Sequence, residues 1–389
     1  MFNKNPSYFK KDINRRREPL TDTNLLMIIA IAVFVIFYLY AMLFTDSVVF
    51  KRPQGITNNI NVYSYLILLS CGLSIVMIGG GIDISVGGVA ALSAMSCALF
   101  MNGRSGSVLG ALVLAIGIGL GFGLLHGFLV AYLDIQPFII TLAGMFLARG
   151  LTSTLSAEAV KVTLPGFSAL KDWSLKIPGL GYYAKASGNF MYAEIQLEAL
   201  IALAAVVILF VVLKWTRFGR KLYALGGNSQ SAMMLGINTK RTKLFSYLLS
   251  GALAGLGGYC ILLISGTAQL SGASGAEMQA IAASIIGGTL LTGGVGNIFG
   301  TFFGVLLLTT INQIISISGE PDSALQGIIN GILLCLFIVF QSVIVSLRGR
   351  KVTIVLPAWP GKKTEEARTE GTVSQDMLEM GNTNSIAEE

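Results

Sequence analysis

The chain has 389 residues, of which 53% are apolar and only 12% are charged, and its mean hydropathy is +0.72. A soluble domain does not carry this much apolar surface, so the composition excludes that class and predicts an integral membrane protein of helical spans. The net charge of +7 is concentrated in an N-terminal arm, a middle loop and a C-terminal tail, which the positive-inside rule explains without a nucleic-acid partner.

The two ends of the chain are polar. Residues 1–24 form a basic arm, and residues 347–389 form a charged, flexible tail; we expect both in the cytoplasm. Residues 25–346 form the predicted transmembrane domain, in which an apolar run of about twenty residues crosses the bilayer once. The predicted spans are about 25–44, 60–79, 85–101, 107–132, 138–155, 195–213, 244–265, 277–292, 297–317 and 324–346.

Ten spans place both termini and the basic loop over residues 214–243 in the cytoplasm. The positive-inside rule favours this orientation, since all three basic clusters then lie on one side. The longest loop, residues 156–193, is external in this topology. The predicted fold is therefore an all-α integral membrane protein of about ten transmembrane helices, some of them broken by glycine-rich segments.

The first break is the stretch GGGIDISVGG over residues 79–88. Glycine weakens a helix by about 1 kcal/mol per residue, so this stretch ends one helix and starts another. An ionisable residue such as Asp83 at membrane depth indicates function; alternatively, Asp83 or Ser85 caps the next helix at the water interface. To this break, beside the translocation path, we assign Gly80, Gly81, Asp83, Ser85 and Gly87.

A second break lies in the other half of the chain. Residues 277–292 are too short and too rich in glycine for an ordinary span, and such segments are tolerated only beside protein or a water-filled path. The segments 79–92 and 287–300 form a weak internal repeat, which points to a transport path. To that path we also assign Gly287, Gly288 and Asn312, the last placed to hydrogen-bond between helices.

Other residues in the spans have structural interpretations. Glycines four residues apart, as at Gly119 and Gly123 or at Gly251 and Gly255, predict close helix packing. His126, the only histidine, is interpreted as packed and hydrogen-bonded rather than as a ligand. Arg149 is interpreted as a residue that snorkels to the interface. The four cysteines lie in apolar runs and indicate neither disulfides nor a metal site.

Catalytic motifs are missing from the sequence. It has no GxxxxGK[ST], HExxH or GxSxG, so we expect neither an enzyme nor an ATP site in this chain. A carrier coupled to protons or sodium ordinarily shows several charged residues within its helices. Their scarcity here favours a pore whose energy comes from another protein.

The basic middle loop contains a short amphipathic helix. Asn228 or Ser229 can cap it, and Ala232, Met233 and Leu235 give it an apolar side. Such a helix suits docking into a groove on a soluble partner, and it equally suits lying on the membrane surface.

Four motifs follow one another along the chain: GGIDISVGG at 80–88, QPFIITLAGMFLARGL at 136–151, ALGGNSQSAMMLGI at 224–237 and MQAIAASIIGGTLLTGGVGNIFGTFFG at 278–304. In this order they resemble the permease subunits of bacterial ATP-binding-cassette importers for ribose, xylose, arabinose, galactose and related compounds. The resemblance covers about residues 25–345, although Gln279 stands where the family often has an acidic residue.

The resemblance implies a permease in the bacterial cytoplasmic membrane that passes a small polar solute, and a monosaccharide is the solute that we expect. It also implies a second permease subunit, identical or related, a cytoplasmic ATPase that holds ATP and Mg, and an extracytoplasmic solute-binding protein. Nucleosides, an autoinducer sugar and branched-chain amino acids are alternative cargoes, and a stand-alone carrier or channel is the alternative class. Coupling to the ATPase is assigned by resemblance to Gly226, Gly227, Asn228, Ser231, Ala232, Leu235, Gly236 and Ile237.

Overall fold

The structure is a computed structural model of the chain. It describes residues 22–45, 48–103, 106–183, 190–317 and 323–349. Nearly all of the predicted basic arm and of the predicted tail lies outside these described residues. Met1–Val343 form one compact unit and Ile344–Glu389 a second, and every side-chain contact given below lies in the first.

The described residues form fifteen helices and four strands. The helices are α1 Asp22–Phe44, α2 Val48–Lys51, α3 Gln54–Val62, α4 Ser64–Ile78, α5 Val86–Asn102, α6 Val108–Tyr132, α7 Pro137–Leu155, α8 Pro165–Lys171, α9 Leu197–Trp215, α10 Arg217–Gly227, α11 Ser229–Met234, α12 Thr239–Ser265, α13 Ala276–Ile286, α14 Ile298–Ile317 and α15 Ser323–Gly349. The strands are β1 Val160–Lys161, β2 Ser174–Tyr183, β3 Phe190–Gln196 and β4 Thr267–Ala268.

Six helices within the described residues are long and apolar enough to cross a membrane, namely α1, α6, α7, α9, α12 and α14. Helices α3 and α4 qualify together as one span bent by 63°. Helices α5 and α13 and the stretch Gly327–Val343 of α15 are apolar but shorter. Each predicted span thus overlaps a helix, although α13 ends six residues before the predicted end of its span and the span predicted over 60–79 includes the bend between α3 and α4; the count of ten crossings stays a prediction.

Helix α4 forms the centre of the bundle. All of its residues except Tyr65 are buried, and it packs against α9, α12, α13 and α14. A helix that is buried all round is apolar all round, which explains why its sequence shows no polar face. The ends of α4 therefore lie close to several other elements.

The predicted small-residue faces pack against one another. Gly119 of α6 lies against the backbone of Gly251 in α12, and Gly304 of α14 lies against the backbone of Ala283 in α13. Close backbone approach of this kind supplies the packing that holds membrane helices together. The prediction of close helix packing at these glycines is confirmed.

The loop predicted over residues 156–193 is folded, which corrects the all-α expectation. It contains β1, α8 and β2, and β2 pairs antiparallel with β3 from Ser174 opposite Gln196 to Tyr183 opposite Phe190. The ladder shifts register between Ile177 and Gly181. Proline and glycine in that shift interrupt the alternation that predicts a strand, so the sequence pattern did not reveal the hairpin.

Candidate functional site

The two glycine-rich breaks end their preceding helices with the same hydrogen bonds. The amides of Gly79, Gly80 and Gly81 donate to the carbonyls of Ile75, Met77 and Val76, and those of Gly287, Gly288 and Thr289 donate to Ala283, Ile285 and Ser284. Gly80 (φ +80°) and Gly288 (φ +90°) adopt the left-handed conformation that closes such a cap, which glycine enters without strain. The predicted repeat is therefore confirmed as a repeated helix cap.

The end of α10 lies against both breaks. A Cβ on Gly226 would overlap the carbonyl oxygen of Ile78 and the amide nitrogen of Gly294. The Gly294 amide in turn donates to the Ile78 carbonyl at 2.9 Å. We call the meeting point of these three backbones the glycine junction; it consists of Gly79–Gly81, Gly226 and Gly293–Gly294.

Two side chains hold α10 on the glycine junction. The hydroxyl of Tyr223 donates to the carbonyl of Gly296 at 2.8 Å, and the buried side chain of Leu222 packs on Gly79. Burial raises the pKa of Tyr223 to about 12, so the hydroxyl stays a donor at physiological pH. These two contacts therefore hold α10 against the segments at both breaks.

Asp83 ties the first break to α12. Its side chain is 1% exposed; Oδ1 accepts from the amide and hydroxyl of Ser85 at 3.1 and 2.6 Å, and Oδ2 accepts from the hydroxyl of Ser250 at 2.8 Å. Tyr247, also on α12, donates to the carbonyl of Ile82 at 3.1 Å. Sequence reasoning missed Ser250 and Tyr247, although their spacing of three residues places them on one helix face.

Neither Asp83 nor Ser85 caps α5, so the capping alternative is wrong. Ser85 occupies the N-cap position, but its hydroxyl donates to Asp83 and accepts nothing from the first turn. His126 is buried with Nδ1 3.3 Å from Ser85 Oγ, and its ring packs on Gly144. The interpretation of His126 as a packed, hydrogen-bonded side chain is confirmed.

Arg149 forms an ion pair, which the sequence did not predict, while its snorkelling to the interface stays a prediction. Its Nη2 lies 2.9 Å from Oε1 of Glu277, which begins α13 and is nearly buried. The second carboxylate oxygen of Glu277 lies against Gly87 in the first turn of α5. A buried charge needs such a partner, and this pair joins α7, α5 and α13.

Helix α11 presents the predicted docking segment. Asn228 caps it by accepting from the Ser231 amide at 2.9 Å, and Gly236 follows it with a φ of +77°. Ala232, predicted on the exposed apolar side, is instead buried, and the amide of Ile237 donates to its carbonyl. The exposed apolar side chains are Met233 (61%), Met234 (87%) and Leu235 (79%), which we call the α11 tip.

Asn312 lies apart from the glycine junction. It is buried in α14, about 20 Å along the helix axis from the second break at 1.5 Å per residue. Its Oδ1 has no hydrogen-bond partner among the described residues. The structure thus brings Gly80, Gly293 and Gly294 together with Gly226, whereas Gly287 lies against Gly300, Gly288 lies against Leu26 of α1, and Asn312 lies elsewhere. Within the described ranges, no three His, Cys, Asp or Glu residues cluster as metal ligands.

Comparisons with known proteins identify a common family. Residues 55–338 match the family described as branched-chain amino acid transport system / permease component. The inner membrane ABC transporter permease protein YjfF of Escherichia coli K12 is 37% identical over 82% of this chain and 92% of its own length. The fructose import permease protein FruG of Bifidobacterium longum is 33% identical over 74% of this chain and 83% of its own length.

Two further proteins are similar. The ribose import permease protein RbsC of Bacillus subtilis is 34% identical over 75% of this chain and 86% of its own length. Among solved structures, a metal-chelate type ABC transporter in an inward-facing conformation matches with a TM-score of 0.46 and 18% identity, covering 81% of this chain and 98% of the other.

Proposed function

This chain belongs to the family of permease components of ATP-binding-cassette transporters, and on that premise we propose that the solute it passes is a monosaccharide. It is a multi-pass inner-membrane protein, and its relatives are permease subunits rather than catalytic ones. Import permeases for ribose and for fructose among those relatives support a sugar as the cargo.

The glycine junction is the observation that supports the proposed transmission of movement from the ATPase to the solute path. An ATPase docked on the α11 tip displaces α11 and α10 when it closes on ATP. Because Gly226 at the end of α10 touches both breaks, one displacement moves both. Glycine-rich backbone absorbs such changes in dihedral angle at low cost, so the breaks are where a path can open and close.

The partners in this proposal supply what the chain lacks. A cytoplasmic ATPase holds ATP and Mg, a second permease subunit completes the path, and an extracytoplasmic binding protein delivers the solute. Ten transmembrane helices with both termini in the cytoplasm place the α11 tip on the ATPase side. The chain itself binds no cofactor in this scheme.

Uptake into proteoliposomes that contain this chain, its ATPase and its binding protein tests the proposal. Labelled D-ribose, D-fructose, D-galactose and L-leucine are supplied with ATP. We expect ATP-dependent accumulation of at least one sugar, and none when the ATPase carries a substituted Walker A lysine. Accumulation of leucine without any sugar would contradict the proposal and support the cargo named in the family description.

A further inference from the structure

A cavity of about 380 Å³, lined mostly by polar residues, lies between α3 and the β2–β3 hairpin, at the opposite end of α4 from the glycine junction. Its volume falls within the range of about 300–1,000 Å³ of small-molecule sites. The side chains that give it its chemistry are Arg52, Gln54, Asn58, Asn61, Tyr182 and Glu194.

The walls of this cavity are fixed by hydrogen bonds that cross between α3 and the hairpin. Gln54 Nε2 donates to the carbonyl of Met191 at 2.9 Å. Asn61 Nδ2 donates to the carbonyl of Glu194 at 3.0 Å, and Asn61 Oδ1 accepts from the Gln196 amide at 3.1 Å. The cavity is therefore preformed, because the amide side chains of Gln54 and Asn61 hold its two walls at a fixed separation.

The lining offers both donors and acceptors to a ligand. Gln54 Oε1 is buried without a hydrogen-bond partner among the described residues. The Arg52 guanidinium lies 3.7 Å from the centroid of the Tyr182 ring. This stacking holds the N–H donors of Arg52 in a fixed plane. The carboxylate of Glu194 balances the charge of Arg52, so the lining suits a neutral molecule rather than an ion.

Polar groups continue from the cavity into the bundle. Asn59, on the inner side of α3, is 2% exposed and donates from Nδ2 to Thr310 Oγ1 in α14 at 3.3 Å. Asn59 Oδ1, like Gln54 Oε1, has no partner in the described part of the chain. A buried acceptor without a partner is costly, and a ligand hydroxyl would satisfy Gln54 Oε1, which lines the cavity. Asn59 links α3, which forms one wall of the cavity, to α14.

We propose that this cavity is an outer binding site for a neutral monosaccharide on its way into the path. The proposal rests on the sugar-import function proposed above. Each hydroxyl of a sugar both donates and accepts, which matches the mixed amide, guanidinium and carboxylate lining, and the Tyr182 ring offers an apolar face. A branched-chain amino acid carries no hydroxyl, so it would leave the amide side chains of the lining without a hydrogen-bond partner.

Protection of a cysteine against labelling tests this site. Asn58→Cys, in the cavity lining, is made in a Cys335→Ser background, because Cys71, Cys97 and Cys260 are buried. The purified transporter complex reacts with a membrane-impermeant maleimide, with or without D-ribose, D-fructose, D-galactose or L-leucine. We expect at least one sugar to slow labelling by about threefold or more, as partial occupancy of a small-molecule site predicts, and leucine to leave it unchanged.

Ser168→Cys in the same background is the matched control, because Ser168 is exposed on α8 and does not line the cavity. Equal slowing at Ser168→Cys, or no slowing at Asn58→Cys by any sugar, overturns the site. Adding Gln54→Leu to Asn58→Cys should abolish the protection, and persistent protection in that variant also counts against the site. Uptake measured on the Cys335→Ser parent, whose cavity lining is intact, separates the two proposals: sugar uptake by the parent without protection at Asn58→Cys sinks the cavity alone, and absence of sugar uptake by the parent sinks the function.

Discussion

Asp83 shows how one buried carboxylate fixes the geometry of a break. Its oxygens accept three hydrogen bonds, from the amide and hydroxyl of Ser85 and from the hydroxyl of Ser250. Each hydrogen bond to a charged group contributes about 1.5–3 kcal/mol, and removal of the carboxylate leaves its donors buried without partners. Because Asp83 binds α12 to the segment before α5, it holds the joint between two helices and does not cap either of them.

The variant Asp83→Ala should impair uptake far more than it lowers the amount of protein in the membrane. Loss of the three hydrogen bonds loosens the break and removes its tie to Ser250 of α12, so that the hydrogen bond of Tyr247 to Ile82 remains; the glycine packing of α6 on α12 still holds the bundle. Uptake is expected to fall about tenfold or more, the effect of a loss of about 1.4 kcal/mol, with abundance within about twofold of wild type. Uptake and immunoblot of membranes measure the two quantities.

The control for Asp83 is Ser93→Ala, which removes a hydrogen bond between the same two helices. Ser93 Oγ donates to the carbonyl of Gly255 at 2.9 Å, away from the break. This variant should keep uptake within about twofold of wild type, because one neutral hydrogen bond contributes only about 1 kcal/mol. If Asp83→Ala reduces uptake and abundance in proportion, its role is stability alone.

Alanine substitutions at the adjacent residues Gly226 and Gly227 test whether the contact at the glycine junction matters for uptake. A Cβ on Gly226 meets Ile78 and Gly294, whereas a Cβ on Gly227 meets nothing within 4 Å. Both glycines end α10, so alanine affects helix propensity equally. Gly226→Ala should lower ATP-driven uptake about tenfold or more, since backbone atoms cannot yield as side chains do, and Gly227→Ala should lower it less than about twofold.

Proteoliposome uptake and ATP hydrolysis, measured together, decide between the two glycines. Continued hydrolysis without uptake in Gly226→Ala would show that the glycine junction transmits the displacement. Equal uptake by both variants would instead show that contact at the glycine junction is dispensable.

The ends of the helices near the breaks could be predicted from local sequence, but the contacts between those helices could not. The glycine run from Gly79 predicted where α4 ends, and Asn228 predicted where α11 begins, because caps are decided within a few residues. The approach of Gly226 to both breaks depends on how α10 packs, which no local pattern encodes. The same reason explains the buried Ala232 and the pairing of Arg149 with Glu277, residues far apart in sequence.

The α11 tip should bind the ATPase through its apolar side chains. Replacing Met234 and Leu235 together by serine removes the two most exposed of them, and water-exposed apolar side chains contribute to docking only when a partner covers them. We expect co-purification of the ATPase with this double variant to fall about fivefold or more, a loss of about 1 kcal/mol or more. Leu175→Ser, at an exposed leucine of β2, is the control and should retain the ATPase. Full retention by the double variant would favour the alternative of a helix on the membrane surface.

At the scale of the whole molecule, composition and the order of the motifs predicted the class and the family of the protein better than any single site did. The apolar content predicted a helical membrane protein, and four motifs in order predicted the permease family that residues 55–338 match. The β2–β3 hairpin escaped prediction because its strands are partly exposed and their pairing is interrupted by a register shift. The cavity beside it escaped for the same reason, since Arg52 and Tyr182 meet only when the hairpin folds over α3.

The orientation of the molecule is tested by two exposed serines on opposite sides of the predicted bilayer. Ser231 lies in α11 and Ser168 in α8, and both side chains are accessible. With ten spans and cytoplasmic termini, Ser231→Cys faces the cytoplasm and Ser168→Cys faces the outside. The two residues lie on opposite sides because one predicted span, residues 195–213, separates them. In spheroplasts carrying Cys335→Ser, an impermeant maleimide should label Ser168→Cys at once and Ser231→Cys only after lysis. The reverse pattern would invert the topology and remove the α11 tip from the reach of any cytoplasmic ATPase.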